Sequence, residues 1–237
     1  MALQDKVVLI TGATGALGRV VARAFAETGA RLALTARQKQ TLDELAAALS
    51  LPAERVLTFP ADLTVAREVA ALMEAVAARW GGVDILLNLT GGWRGGNRLA
   101  ELSEEEWEAT LEMNLHSAFL INRAVLPYMA SRGWGRIINI ASRAAVEPAA
   151  RQAAYNVAKA GLVALTASIA AEYRRQGIAA NAIMPSIIDT PQNRAQMPDA
   201  DFSRWVKPEA LAALMLYLCS EEGGQLNGAA IPVYGRL

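Results

Sequence analysis

Seven short aliphatic and β-branched runs recur along the chain, each followed by a stretch of helical periodicity, and this alternation constrains the fold more than any other feature. The runs are VVLIT from Val7, RLALTA from Arg31, RVLTFPAD from Arg55, VDILLNLTG from Val83, RIINIAS from Arg136, IAANAIMPS from Ile178 and AAIPVY from Ala229. Strands that are apolar on both faces belong in a parallel sheet covered by helices on both sides and joined by right-handed crossovers. Residues 151–176 give the clearest helical pattern, and 208–220 the last before the final strand. No repeat or Ser/Gly-rich linker interrupts the series across the 237 residues. The expectation is α/β: one doubly wound domain over 1–237, with a seven-stranded parallel sheet between helices.

Charge and composition narrow the function classes. The 23 basic and 23 acidic side chains cancel, so no net field draws the chain to nucleic acid or to an anionic membrane. No stretch reads as the roughly 18 to 20 apolar residues needed to cross a bilayer, and MALQDKVVLITG has an acid where a secretory leader would be basic. A cytoplasmic location is expected. The single cysteine, Cys219, excludes an internal disulfide and cannot build a zinc site, so no metal is expected; within LMLYLCS it reads as a small buried hydrophobe.

In an open parallel sheet, ligands bind beyond the carboxyl ends of the strands, near the point where strand order reverses. The residues least suited to a core fall there. TGATGALG, with Gly12, Thr14, Gly15, Leu17 and Gly18, follows the first strand and opens a helix. Such a turn lets backbone approach a pyrophosphate, whose charge is favoured by the free N–H groups of the helix. The arrangement is that of a Rossmann-type dinucleotide site. An NAD site usually carries an acid at the end of the second strand, but here Ala36 and Arg37 stand there. A guanidinium in place of a carboxylate suits a 2′-phosphate, so NADP(H) is expected to be preferred, with NAD(H) possible.

YNVAKAG places Tyr155 and Lys159 four residues apart on one helical face, where an ammonium can stabilise a phenolate for acid–base work. Ser142, at the end of the fifth strand, can donate to a carbonyl oxygen as charge develops on it. Together these features point to an enzyme acting on a small molecule by hydride exchange with a carbonyl or alcohol. A non-catalytic NADP(H)-binding sensor would require only part of the set.

The chain resembles the short-chain dehydrogenase/reductase family throughout its length, through TGATGALG, ADLT, DILLNLTG, MNLHSAF, INIAS, YNVAKAG and NAIMPSIIDT in order. The resemblance implies Tyr155 as general acid/base, Lys159 as its pKa modifier and ribose anchor, Ser142 as the carbonyl-positioning group and Asn114 in a water-linked proton relay. It also implies that Asp62 and Leu63 flank adenine. Asn88, Gly91, Pro185, Ile188 and Thr190 would line the cofactor. The glycine turn has the spacing of the extended branch, with Ala16 where the classical branch has glycine, but the short region after Pro185 fits the classical branch. Asn88-Leu89-Thr90-Gly91 departs from the usual Asn-Asn-Ala-Gly.

DTPQNRAQMPDADFSRW lies where this family carries a segment that closes over substrate, so 189–207 is expected to be such a flap. That stretch and GGWRGGN are similar to quinonoid dihydropteridine reductases, in which case Trp93 would stack on a planar ring and Arg194 or the acids would meet polar substituents, while Arg94, with Arg98, Arg143 and Arg151, could recognise an acidic substrate. The intact Ser142 and the Ala36-Arg37 pair instead favour an NADPH-dependent carbonyl reductase, with dihydropteridine reduction as the alternative. MPDADFSRW also reads as a cap for the helix from 208, anchored by Phe202 and Trp205. His116 reads as a helix-face residue, and Glu104, Glu105 and Glu106 as a helical first turn capped by Ser103. The resemblance implies a homotetramer through the helices around 104–131 and 151–176.

Overall fold

The computed structural model describes residues 3–237. Each apolar run becomes a parallel strand, with helices filling the crossovers: β1 Val7–Thr11, α1 Ala16–Ala26, β2 Arg31–Ala36, α2 Lys39–Leu49, β3 Val56–Pro60, α3 Ala66–Trp80 and β4 Ile85–Asn88 come first. The second half runs α4 Glu104–Leu111, α5 Ser117–Arg132, β5 Gly135–Ile140, α6 Ala153–Tyr173, β6 Ile178–Pro185, α7 Pro191–Gln196, α8 Pro208–Leu218 and β7 Ala230–Val233. The strands form one sheet in the order β3-β2-β1-β4-β5-β6-β7, with every neighbouring pair parallel. The order reverses between β1 and β4, which puts the crevice for a ligand beside the end of β1.

Period-two alternation decides which layer each strand residue enters. Val8 and Ile10 of β1 join Phe25, Leu42, Leu45 and Met215 under α1, α2 and α8. Val7 and Leu9 point the other way, among Leu72, Val76, Ile121 and Val125 of α3 and α5. A one-residue slip would exchange the two sets, so register is fixed by burial on both faces. Cys219 is fully buried in the first layer and burial pushes its thiol up, so the small-hydrophobe reading holds.

Three local features differ from the sequence expectation or add to it. First, Ala153–Gln176 is long and apolar enough to cross a membrane by length and composition, which corrects the reading that no such stretch exists. In the fold, one face of α6 is buried through Ala154, Ala158, Leu162, Thr166, Ile169 and Ala170, and the helix packs along β6. Second, α4 and α5 are joined by a π turn, Glu112–His116. Ser103 does cap α4, accepting from the Glu106 N–H at 3.1 Å, and three glutamates occupy its first turn.

Third, the segment after β6 is more regular than its aperiodic sequence suggests. Thr190 accepts from the Asn193 N–H and Pro191 sits in the first turn, so α7 starts on a side-chain cap and a preset φ. Asp201 caps a short 3-10 turn, Phe202–Arg204. Trp205 is buried, as the anchoring alternative requires, whereas Phe202 is only half-buried against it, with ring centroids 4.8 Å apart.

Candidate active site

The candidate residues at the strand ends fall at the carboxyl edge of the sheet. The first turn crosses from β1 into α1, Arg37 leaves β2, Asp62 and Leu63 follow β3, and Asn88 ends β4. Ser142 lies just beyond β5, Pro185 ends β6, and Ile188 and Thr190 follow it. The sheet brings these residues to one edge from six separate strands.

Glycine at position 18 is required by close approach, since a Cβ there would collide with the carbonyls of Gly12 and Ala13. The turn is thereby drawn tight against α1. Gly15 occupies the N-cap with no side-chain cap, and no acid lies in the first turn, so the helix offers bare N–H groups and the positive end of its dipole. Thr14 is fixed through its carbonyl, which accepts from Arg19 Nε at 3.0 Å. This cradle fits a pyrophosphate. Leu17 packs against the core layer beside it. Arg37 is exposed and makes no hydrogen bond or ion pair among the described residues, leaving its guanidinium free for an anion. The Asp62 carboxylate is held low by the Thr64 N–H and hydroxyl, with Arg37 adding to that effect.

Under the crevice lies a buried polar ladder that sequence reasoning missed. Thr11 donates to Asn88 Oδ1 at 2.9 Å, and Asn88 Nδ2 donates to Asn139 Oδ1 at 2.9 Å. Asn139 also accepts from Asn122 and donates to Thr166, and Thr11 Oγ1 accepts from the N–H groups of Leu89 and Thr90. Satisfied on both sides, these buried groups lock the β4 exit against β1 and β5. The available signal was a polar residue inside each of the runs LLNLT and IINIA.

The reactive cluster is built by α6. Lys159 is almost fully buried and its Nζ donates to the Ile140 carbonyl at 2.9 Å; burial brings the ammonium down to about 8. Its Nζ lies 5.7 Å from the centre of the Tyr155 ring. Burial pushes the Tyr155 phenol up, and a hydrogen bond from Ser142 pulls it back in part. The sequence expectation was a phenol lowered by its lysine neighbour. The direction is the reverse because desolvation of the phenol is the largest influence on it.

Asn114 reaches the same place from the π turn. Its Oδ1 accepts from the Gly92 N–H at 3.0 Å, and its Nδ2 donates to the Gly92 and Thr110 carbonyls at 3.0 and 3.1 Å. Gly91, at φ 150°, could carry no side chain: a Cβ would stand 2.8 Å from Asn114 Oδ1 and 3.1 Å from Lys159 Nζ. Asn114 and Lys159 therefore meet at the exit of β4.

The outer residues are placed differently. Trp93 is 60% exposed, and its Nε1 donates to Gln152 Oε1 at 2.7 Å, closing the loop after β4 onto the start of α6. Arg94 lies in that loop and is exposed. Arg194 does not stand free for a substrate: its Nε and one terminal nitrogen grip Asp189 at 2.5 and 2.9 Å. His116 is exposed beside Phe119, as a helix-face residue. Among the described residues no cluster of potential metal ligands forms.

Residues 6–201 match the family described as short chain dehydrogenase. The chain belongs to that family. D-threitol dehydrogenase of Mycolicibacterium smegmatis is 34% identical, with 98% of this chain and 93% of the relative covered. The crystal structure of Gluconobacter frateurii L-sorbose reductase complexed with NADPH and L-sorbose is 32% identical, with TM-score 0.90 and coverage of 99% and 97%. That of 3-ketoacyl-(acyl-carrier-protein) reductase from Brucella melitensis complexed with NADH is 29% identical, with TM-score 0.89 and coverage of 99% of each chain. As a short-chain dehydrogenase this chain is an NAD(P)-dependent oxidoreductase acting on small molecules. The likeness to dihydropteridine reductases finds no counterpart in these relatives.

Proposed function

We propose that this short-chain dehydrogenase is an NADPH-dependent reductase of a carbonyl substrate, working reversibly on the corresponding alcohol through Ser142, Tyr155, Lys159 and Asn114. The observation that carries the reading is that Ser142 and Lys159 both lie close to a half-buried Tyr155, with Lys159 also reaching Gly91 at the exit of β4. When bound, NADP(H) supplies or takes up a hydride at its nicotinamide. The turn from Gly12 to Gly18 would hold the pyrophosphate and Arg37 the 2′-phosphate. Asp62 and Leu63 would sit at adenine, with Asn88, Gly91, Pro185, Ile188 and Thr190 along the rest.

In the reducing direction the Tyr155 hydroxyl passes its proton to the carbonyl oxygen, while Ser142 donates a hydrogen bond to that oxygen. The Lys159 ammonium stabilises the phenolate left behind, offsetting the desolvation that otherwise opposes it. Asn114 holds the Gly91-Gly92 backbone so that nothing fills the space facing Lys159, and a water there would carry the proton outward. Relatives named for D-threitol, L-sorbose and 3-ketoacyl-(acyl-carrier-protein) support a polar ketone or its alcohol as the substrate class. The exposed indole of Trp93 favours quinonoid dihydropterins as the second class to assay. The same reading has a homotetramer formed through α4, α5 and α6, where Phe119 and Val157 remain exposed.

The deciding experiment is Tyr155→Phe. Turnover should fall by about 1,000-fold or more while NADPH affinity changes less than about threefold. Turnover that survives the substitution would remove the tyrosine from the mechanism, and a wild-type protein that binds NADPH without reducing any ketone, quinone or dihydropterin would favour a sensor.

A further inference from the structure

The most connected charge outside the reactive cluster is Asp189. Its side chain is 6% exposed, yet two half-exposed cations hold it: Arg194 with two nitrogens, and Lys207 at 2.5 Å. Together they hold the carboxyl far below the usual range. These partners come from opposite ends of one excursion of the chain. Arg194 belongs to α7, and Lys207 directly precedes α8.

The backbone closes at the same point. The Asp189 N–H donates to the Val206 carbonyl at 2.8 Å, and the Val206 N–H donates to that of Ile187 at 2.9 Å, so Ile188 and Val206 pair as in a parallel bridge. The segment is therefore a closed loop with a hydrogen-bonded neck, and Asp189 sits in the neck. From there contact continues outward: the Arg194 guanidinium lies 4.8 Å from the Phe202 ring, and Phe202 packs on buried Trp205. One carboxylate thus ties together α7, the 3-10 turn and the start of α8. Its chain neighbours, Ile188 and Thr190, are the residues assigned to the cofactor side of the crevice.

We propose that Asp189 is a positioning residue: acting through Arg194 and Lys207, it sets the closed arrangement of 189–207 at the edge of the site. It touches neither substrate nor cofactor in this role. The inference rests on the reading above only in placing this segment beside the substrate, and half of its test requires no turnover.

The test compares Asp189→Asn, Asp189→Glu and Lys207→Met with the wild type. Trypsin cuts after arginine, and the loop carries Arg194 and Arg204, so cleavage of the cofactor-free protein at these bonds reports opening of the neck. Asp189→Asn should speed both cuts about five- to tenfold and raise the substrate KM by a similar factor, with kcat within about twofold of wild type. Asp189→Glu should recover part of each effect, and Lys207→Met should move both in the same direction by less. Added salt should accelerate cleavage in the wild type and leave Asp189→Asn unmoved, because the cations are exposed to screening.

Unchanged cleavage with a raised KM would mean that Asp189 meets the ligand itself, overturning the proposal. Faster cleavage with unchanged KM would also overturn it, by separating the loop from the site. If Asp189→Asn lowers the global melting temperature, Lys207→Met decides, and wild-type cleavage and KM there would overturn it. Failure of the catalytic reading would show separately, as turnover surviving Tyr155→Phe while the cleavage pattern followed expectation.

Discussion

Lys159 carries an ammonium that folding disfavours. Burial lowers it from 10.5 to about 8, so the folded state releases this proton before the unfolded chain does. The sign follows from proton counting: between about pH 8 and about 10.5 the unfolded state binds more protons, and stability from this group rises with pH across that window. Below it the full cost applies, on the order of 3 kcal/mol for a shift of this size. Lys159→Met should therefore stabilise the cofactor-free protein at neutral pH. The gain is smaller than the full cost, about 1–2 kcal/mol, because the Ile140 carbonyl loses its donor. Thermal unfolding of the two proteins as a function of pH checks this: the variant should melt higher at neutral pH, and its advantage should vanish near pH 10. A variant that melts lower at neutral pH would mean that the lysine is already compensated in the free chain. Turnover should collapse in either case, since the same ammonium supports the Tyr155 phenolate.

At the scale of elements, what could be read from the sequence depended on how local the determinant was. The strands and α6 were legible because their signal is periodicity, and the cap of α4 was legible because Ser103 and its glutamates lie within one turn. The π turn was not, since nothing in EMNLH breaks helical periodicity. The contact that goes with it is tertiary: the buried Asn114 side chain bonds the Gly92 backbone, far off in sequence. The short helix α7 was illegible for a different reason: its start signal, Thr190 and Pro191, stands inside an aperiodic stretch with too few residues to show helical periodicity. The polar ladder from Thr11 to Thr166 needed the register of three strands before its members could be paired. Since Asn114 is wholly buried with three hydrogen bonds, Asn114→Ala should leave the Gly92 amide and two carbonyls short of partners. The expected cost is about 2–3 kcal/mol in urea unfolding, with kcat reduced more than about tenfold as the Gly91-Gly92 backbone loosens. Unfolding free energy equal to that of wild type would show that the π turn is held by its neighbours instead.

At the scale of the whole molecule, the free guanidinium of Arg37 and the uncapped start of α1 sit together at one edge of a sheet whose interior is closed on both faces, and this makes cofactor binding a reporter of the entire fold. A ligand that binds only the native state stabilises it by about 2.7 kcal/mol at a hundred times its Kd. For a chain of this length that corresponds to roughly 5–10 °C in Tm. Arg37 should decide which dinucleotide produces the shift, because its guanidinium is exposed, unpaired among the described residues and placed just beyond β2, where a ribose-binding acid would otherwise stand. In the wild type NADPH should raise Tm at lower concentration than NADH. Arg37→Asp puts a carboxylate at the 2′ position, repelling the phosphate and offering an acceptor to the ribose hydroxyls. NADPH affinity should fall on the order of 10- to 100-fold, NADH affinity should rise, and the Tm without either should stay within about 2 °C, because the fold loses only the minor influence of an exposed Arg37 on Asp62. An unchanged ranking of the two cofactors would leave the arginine as a solvated surface group and pass the choice to the backbone around β2, where the Ala13 N–H donates to the Thr35 carbonyl at 3.2 Å.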